Sequence, residues 1–292
     1  MLTGERNYLT GQSKRVRDKE QGQGTPVALG RSDFLGADQN HAKINTNGVS
    51  FGYQKVAPED KRRLVDQQFD AIARRYDLAD RLLSFGLDSL WRRLAVRRLA
   101  PNKGDRVLDL CGGTADLAIL AARDVAPEGT VTICDINSAM MKIGQEKAKR
   151  SRHKKSILWV RGDAETMCFA DNTFDAVTVG FGVRNFVHLE RGIGEIFRVL
   201  KNGGKFMILE FSVPRSGWIK SLYESYSFKV MPFVGKLVTD TAEPFKYLAE
   251  SIRVFPAPEA VKATLEALGF KRVTFQRLTD GIAVVYLGEK ER

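Results

Sequence analysis

No apolar run in this sequence is long enough to cross a bilayer: the strongest, such as Phe206–Leu209, meet a charge within a few positions, where a spanning helix needs roughly 18–20 residues. That excludes an integral membrane protein. Cysteine is scarce. Cys111, Cys134 and Cys168 are odd in number and far apart, and no C-x-x-C spacing occurs, which excludes a disulfide scaffold and gives no sign of a zinc or dithiol site. A reducing, cytoplasmic setting follows. The three histidines fall in the N-terminal stretch (His41), in a basic run (His153) and after a strand (His188), so histidine catalysis is not expected. Acids are in deficit as well: 35 Asp and Glu against 46 Lys and Arg leave a formal charge of +11. That excess suits an anionic partner, whether nucleic acid, an acidic membrane face or a phosphorylated substrate, and by itself does not choose among them. The remaining composition, 43% hydrophobic and 28% charged, supports one sizeable core.

The first fifty residues are rich in Gly, Gln, Asn, Ser, Thr and Lys and show no period of 2 or 3.6, so residues 1–50 read as a disordered extension. Glu5, Asp18 and Glu20 argue against a transit peptide, and the missing apolar stretch argues against a secretory signal. From Pro58 to about Arg98 the spacing predicts two or three helices, which makes residues 51–100 a helical cap before the first strand of the main domain, residues 101–292. Strand and helix patterns then alternate. Strands are predicted at Arg106–Leu110, Thr130–Asp135, Ile157–Arg161, Ala176–Val179 and Lys205–Phe211, with helices at Asp116–Asp124, from Ser138 and at Leu189–Leu200. A helix at Pro258–Leu268 precedes two strands about Asp280-Gly281, an antiparallel hairpin closing a doubly wound, mostly parallel α/β sheet.

Val107-Leu108-Asp109-Leu110 runs into Cys111-Gly112-Gly113-Thr114-Ala115-Asp116, which places Gly112 and Gly113 where backbone must approach a ligand. A plain strand-to-helix turn also uses glycine. Asp135, about twenty residues further on, stands where a carboxylate accepts hydrogen bonds from ribose hydroxyls, or where it caps the following helix. The G-x-G-x-x-G spacing of nicotinamide cofactors is absent. Asp109 before the glycines suits the ammonium of an amino acid and so points to S-adenosylmethionine. Gly162-Asp163-Ala164-Glu165, at the exit of the third strand, offers a carboxylate and amides at the height of an adenine.

Together these residues resemble the class I methyltransferases, with their Rossmann-like sheet. Further motifs resemble the ubiquinone/menaquinone biosynthesis C-methyltransferase family over about Phe51 to Gly288. They are Phe51-Gly52-Tyr53-Gln54-Lys55-Val56, Tyr76-Asp77-Leu78, Ser84-Phe85-Gly86-Leu87, Leu90-Trp91-Arg92-Arg93, Phe181-Gly182-Val183-Arg184-Asn185 and Tyr247-Leu248-Ala249-Glu250-Ser251-Ile252-Arg253. The resemblance implies methyl transfer from S-adenosylmethionine to a ring carbon of a polyprenylated quinol, and it implies cofactor contacts at Thr114, Asp135, Asp163 and Ala164. Departures from the family pattern are Ala115 for the last glycine of the loop, Gly180 for a serine, Asn202 for a proline, Ala79-Asp80-Arg81 for Met-Asn-Asp, and Asp88 for a histidine.

A quinol carbon becomes nucleophilic when the neighbouring hydroxyl loses its proton, so a base is required, directly or through water. The candidates are Arg184 and Asn185, just beyond the fourth strand, and Tyr76 in the cap. Arg184 either binds the phenolate, orients a water or merely ties loops together, since its high pKa opposes direct base work. Tyr76 is equally well read as a buried aromatic. Tyr247, Glu250 and Arg253 read either as a polar cluster at the mouth of the site or as part of a structural helix.

Trp218–Val238, apolar with few charges, reads as a lid over an isoprenoid tail or as an ordinary helix pair. The basic runs Lys147–Lys155 and Arg92–Arg98 read as solvated faces or as a contact with an anionic membrane surface, a peripheral position at its inner face. Nucleic acid is not expected, because no aromatics interleave the basic runs and no recognised module appears. Self-association into a homo-oligomer stays open. So do two other functions, methylation of another aromatic or lipid acceptor and a non-catalytic subunit of a quinone-synthesising complex.

Overall fold

A computed structural model describes residues 48–291, and most of the stretch read as a disordered extension lies outside the described residues. The described chain opens with a small hairpin, β1 (Val49–Phe51) and β2 (Gln54–Val56), so Val49 and Ser50 belong to the folded part. Pro58, at the first helical position, and Glu59 and Asp60 in the first turn start α1 (Pro58–Ile72) as its dipole favours. α2 (Tyr76–Leu83) and α3 (Leu87–Leu99) follow, and Gly86 between them has φ of +76°, the left-handed geometry that glycine adopts without strain.

The main sheet then assembles from β3 (Arg106–Leu110), β4 (Thr130–Asp135), β5 (Ile157–Arg161), β6 (Phe174–Gly180) and β7 (Leu200–Phe211), all parallel. Helices α4 (Asp116–Val125), α5 (Ser138–Ala148) and α6 (Leu189–Val199) make the crossovers. After β7 come α7 (Gly217–Ser225), a π-helical turn at Tyr226–Val230, α8 (Met231–Thr239), α9 (Glu243–Val254) and α10 (Pro258–Ala267). β8 (Lys271–Leu278) and β9 (Ala283–Glu289) close the sheet, β9 lying antiparallel between β7 and β8. The order β5-β4-β3-β6-β7-β9-β8 is the doubly wound arrangement with an antiparallel C-terminal hairpin predicted from the strand and helix alternation.

Each sheet face carries its own core, because alternate strand residues point to opposite sides. Val107, Met207 and Leu209 pack with Trp91 and Leu99 of α3 and Ala118 and Ala122 of α4. Leu108, Leu110 and Ile208 pack with Ile193 and Ile196 of α6 and Val261 and Leu265 of α10. The strand order reverses between β3 and β6, and ligands of such sheets gather beyond the strand ends at that point. Over this end α8 packs on α2, and α9 packs on α8, α1 and β1. The N-terminal helices therefore share one cap with the segment inserted after β7.

Candidate active site

Beyond β3 the chain turns through Cys111, Gly113 and Ala115, at φ of +54°, +42° and +72°, before α4 begins. For Ala115, at the position where the family pattern has glycine, the left-handed conformation is strained by about 1–2 kcal/mol. The Gly113 amide donates to Oδ2 of Asp135 at the end of β4 (2.8 Å), and the Asn137 amide donates to Oδ1 (2.8 Å). Helix α5 is capped by Asn137, whose Oδ1 accepts from the Met140 amide, so Asp135 is not its cap. Asp135 lines a cavity and keeps lone pairs on both oxygens for further donors. Burial holds its carboxyl above the usual range.

Asp109 reaches the floor of the same cavity but is 1% exposed. Its Oδ1 accepts from the Thr178 hydroxyl (2.7 Å) and its Oδ2 from the Ala118 amide (3.0 Å), so it anchors the start of α4 behind the loop. Burial pushes it up to about 7 against those hydrogen bonds. Thr114 is similarly engaged, donating to Asp77 of α2 (2.7 Å) and accepting from Lys147 (3.1 Å).

Gly112, Gly113, Thr114, Asp163, Ala164 and Gly180 line this cavity of about 1080 Å³ with Asp109 and Asp135. A β-carbon on Gly180 would stand 2.5 Å from Leu117 Cδ1, the movable end of a side chain. Helix α1 covers the cavity as a lid. Arg62 pairs with Asp163 (2.8 Å), Asp66 and Asp70 accept from Asn137 Nδ2 (both 2.8 Å), and buried Lys61 donates to the Phe186 carbonyl (2.5 Å). Burial lowers the Lys61 ammonium to about 8. These contacts of α1 were not foreseen, since the spacing from Pro58 to about Arg98 was read only as helices before the first strand of the main domain.

A second cavity of about 890 Å³ adjoins the first and is walled by Ile72, Leu83, Phe211, Met231, Phe245 and Ile252 among others. Phe69, Tyr76 and Phe181 line both cavities. Burial pushes the Tyr76 phenol well above its usual range, so it keeps its proton. Arg184 lines the second cavity with its guanidinium engaged: Nη1 pairs with Glu210, and Nε donates to Ser251 (2.9 Å). Asn185 lines the first cavity and accepts from the Tyr247 hydroxyl (3.0 Å). Tyr247, Glu250 and Arg253, at i, i+3 and i+6 of α9, each have a partner of their own. Tyr247 stacks on Phe51 at 4.4 Å, Glu250 accepts from the Tyr53 amide, and Arg253 lies over the Phe228 ring at 4.3 Å.

The two basic runs meet, and Arg93, Arg150, Arg152 and His153 line one surface groove with Arg123. Two of their members are not on solvated faces. Arg92 is buried between Asp80 (2.7 Å) and Asp88 (2.5 Å), and Lys147 pairs with Asp77 (2.6 Å) and Asp116 (2.9 Å). In the segment Trp218–Val238, Trp218, Leu222, Phe233 and Leu237 are all exposed by 64% or more. Among the described residues no helix is long and apolar enough to cross a membrane.

Solved structures with this fold include a SAM-dependent methyltransferase of Thermotoga maritima, 18% identical, with a TM-score of 0.55 over 78% of this chain and all of that one. The [4+2]-cyclase SpnF is 17% identical, with a TM-score of 0.59 over 84% of this chain and 98% of its own. Curated relatives are closer in sequence. The ubiquinone/menaquinone biosynthesis C-methyltransferase UbiE of Idiomarina loihiensis is 40% identical over 246 residues, 84% of this chain and 98% of that protein. Its namesake in Pseudomonas paraeruginosa is 42% identical over 240 residues, 82% of this chain and 94% of that protein. With residues 55–290 also matching the model of that family, the chain belongs to the ubiE/COQ5 methyltransferase family.

Proposed function

We propose that this protein transfers a methyl group from S-adenosylmethionine to a ring carbon of a polyprenylated quinol. The observation that carries the reading is the pair of adjoining cavities, one lined by the glycine loop with Asp135 and Asp163 at the reversal of strand order and one more apolar beneath the cap, which meet at Phe69, Tyr76 and Phe181. S-adenosylmethionine supplies an electrophilic methyl group when bound. The residues of the first cavity suit it: Asp135 for the ribose hydroxyls, the glycine-loop backbone for the amino-acid end, and Asp163 and Ala164 for the adenine side. The apolar cavity suits a prenylated ring. Catalysis then rests on holding the two reactants in line rather than on a covalent intermediate.

The exposed apolar side chains of α7 and α8, with Lys220, Lys229 and Lys236 on the same segment, support a peripheral position at an anionic membrane surface. Each basic residue near such a surface contributes about 1 kcal/mol. Sedimentation with vesicles that is insensitive to anionic lipid and salt would remove that part of the reading.

The deciding experiment incubates the protein with labelled S-adenosylmethionine and short-tailed demethylmenaquinol or 2-polyprenyl-6-methoxy-benzoquinol, with and without dithionite. Label is expected on a ring carbon only under reducing conditions, because the oxidised ring is itself electrophilic. Transfer without reductant overturns the mechanism, and no transfer to either quinol overturns the substrate class.

A further inference from the structure

A polyprenyl chain attached to a ring in the apolar cavity has to leave that cavity as it lengthens. Gln68 on α1 and the pair Leu83 and Tyr226 are half-buried parts of the cavity wall that reach different kinds of surface. Beside Gln68 stand the exposed residues Gln67, Asp70, Arg74 and Arg75, a polar rim. Beside Leu83 and Tyr226 stand Leu82, Phe85 and Leu222, apolar and exposed by 48%, 79% and 64%. Hydrocarbon is covered at lower free energy on the second surface than on the first.

Tyr226 joins the inside of the cavity to that surface. Its side chain lines the cavity, its hydroxyl donates to the Leu83 carbonyl (2.7 Å), and the Phe85 ring lies 5.8 Å away. The Leu83 carbonyl belongs to the last turn of α2, where carbonyls lack helical partners, so one side-chain bond closes the end of α2 against Tyr226. Both sides of this contact are irregular. Phe85 has φ of +53°, a strained conformation for an aromatic residue, and it belongs to Ser84-Phe85-Gly86-Leu87, a segment with no part in the cofactor site. Tyr226 opens the π-helical turn Tyr226–Val230, a distortion frequent at functional sites. Outward from Tyr226, Leu222 and Trp218 follow at steps of four residues, and the Tyr226 amide donates to the Leu222 carbonyl, so the helix is continuous through all three. They form one row, about 12 Å long, that ends at the 74% exposed Trp218.

Resting on the quinol reading of the site, we propose that the isoprenoid tail of the acceptor leaves the apolar cavity between Phe85 and Tyr226 and lies along Leu222 and Trp218. Phe85, Leu222 and Trp218 are then specificity determinants for the tail and have no role in the chemistry at the ring. Each isoprene unit laid on the row covers apolar side chains that otherwise face water, so affinity rises with tail length. The gain stops after the first few units, because the row ends at Trp218.

The test measures KM in the labelled-methyl assay for reduced quinols with one and with three isoprene units, at fixed detergent and without lipid. Native protein is compared with Phe85→Ser combined with Leu222→Ser. Both side chains are mostly exposed, so the fold is expected to hold, with melting temperature as the control. Native KM should be lower for the three-unit tail by about tenfold or more, and the double variant should lose most of that ratio through KM rather than kcat. A readout that needs no turnover uses an oxidised quinone with a photoactivatable diazirine on its third isoprene unit, which should label peptides containing Phe85 or Leu222. A KM ratio equal in native protein and variant overturns the exit path, as does labelling confined to α1 around Gln68. A length preference that appears only when vesicles are added also overturns it and assigns the apolar face to the bilayer. No transfer by native protein to either quinol removes the quinol reading and the exit path with it, whereas transfer with an unchanged ratio removes the exit path alone.

Discussion

Arg184 and Glu210 form a buried pair that joins the turn after β6 to the end of β7: Nη1 meets Oε1, and the Arg184 amide donates to Oε2 (3.2 Å). Glu210 is 0% exposed, so its charge depends on that partner. Arg184→Ala is therefore expected to cost about 3–5 kcal/mol of stability besides lowering turnover. Arg184→Met combined with Glu210→Gln removes both charges and is expected to recover most of the stability. Denaturant unfolding beside the methyl-transfer assay checks this: if the double variant also regains turnover, the guanidinium takes no part in the reaction.

Asp135→Ala is expected to weaken S-adenosylmethionine binding by about tenfold or more, because the variant loses the ribose acceptor and leaves the Gly113 amide without a partner. The Asn137 amide also loses its acceptor, which should cost about 1–3 kcal/mol of stability. Titration calorimetry is the measurement, and unchanged affinity would remove Asp135 from the cofactor site.

Gly144 lets α5 lie against the glycine loop. A β-carbon there would stand 2.7 Å from the Gly113 carbonyl oxygen and 2.9 Å from the Trp159 ring. Gly144→Ala is expected to cost about 1–3 kcal/mol, and to weaken cofactor binding because the backbone it strikes is the loop itself. Gly194→Ala in α6 meets nothing within 4 Å and is expected to gain about 0.5–1 kcal/mol. Equal melting temperatures for the two variants would contradict the packing.

The buried Asp109 makes stability depend on pH. Its folded-state value of about 7 lies above the ordinary carboxylate range, so the folded protein holds that proton more tightly than the unfolded chain does. The favourable contribution is complete below about pH 4 and is lost as pH rises through about 7. Asp109→Asn removes this dependence, so its stability relative to native protein is expected to improve by on the order of 3 kcal/mol from pH 4 to pH 8. Urea unfolding across that range decides it, and a pH-independent difference would show that Asp109 ionises normally.

Local pattern alone located the three strands Arg106–Leu110, Thr130–Asp135 and Ile157–Arg161 and the start of α5, because each is bounded by turn or capping residues and reads as one apolar run or period. The glycine loop and Asp135 were legible for the same reason: both sit where a strand ends, and strand ends are written in adjacent residues. Pairings across long stretches of chain were not. Asp77 with Lys147, Arg62 with Asp163, and Asn137 with Asp66 join residues about 70 or more positions apart, and nothing in the neighbourhood of either partner marks the other. Arg92 illustrates the limit, since in sequence it belongs to a basic run and in the folded chain it is buried between Asp80 and Asp88. What the sequence by itself determined is the order of elements, the apolar faces and the loop that meets a ligand, all properties of side chains a few positions apart. Which charges are neutralised, which helix closes over the first cavity and which exposed side chains stand beside the second were decided only by tertiary structure, because burial and electrostatic pairing arise between surfaces that meet after the chain has folded.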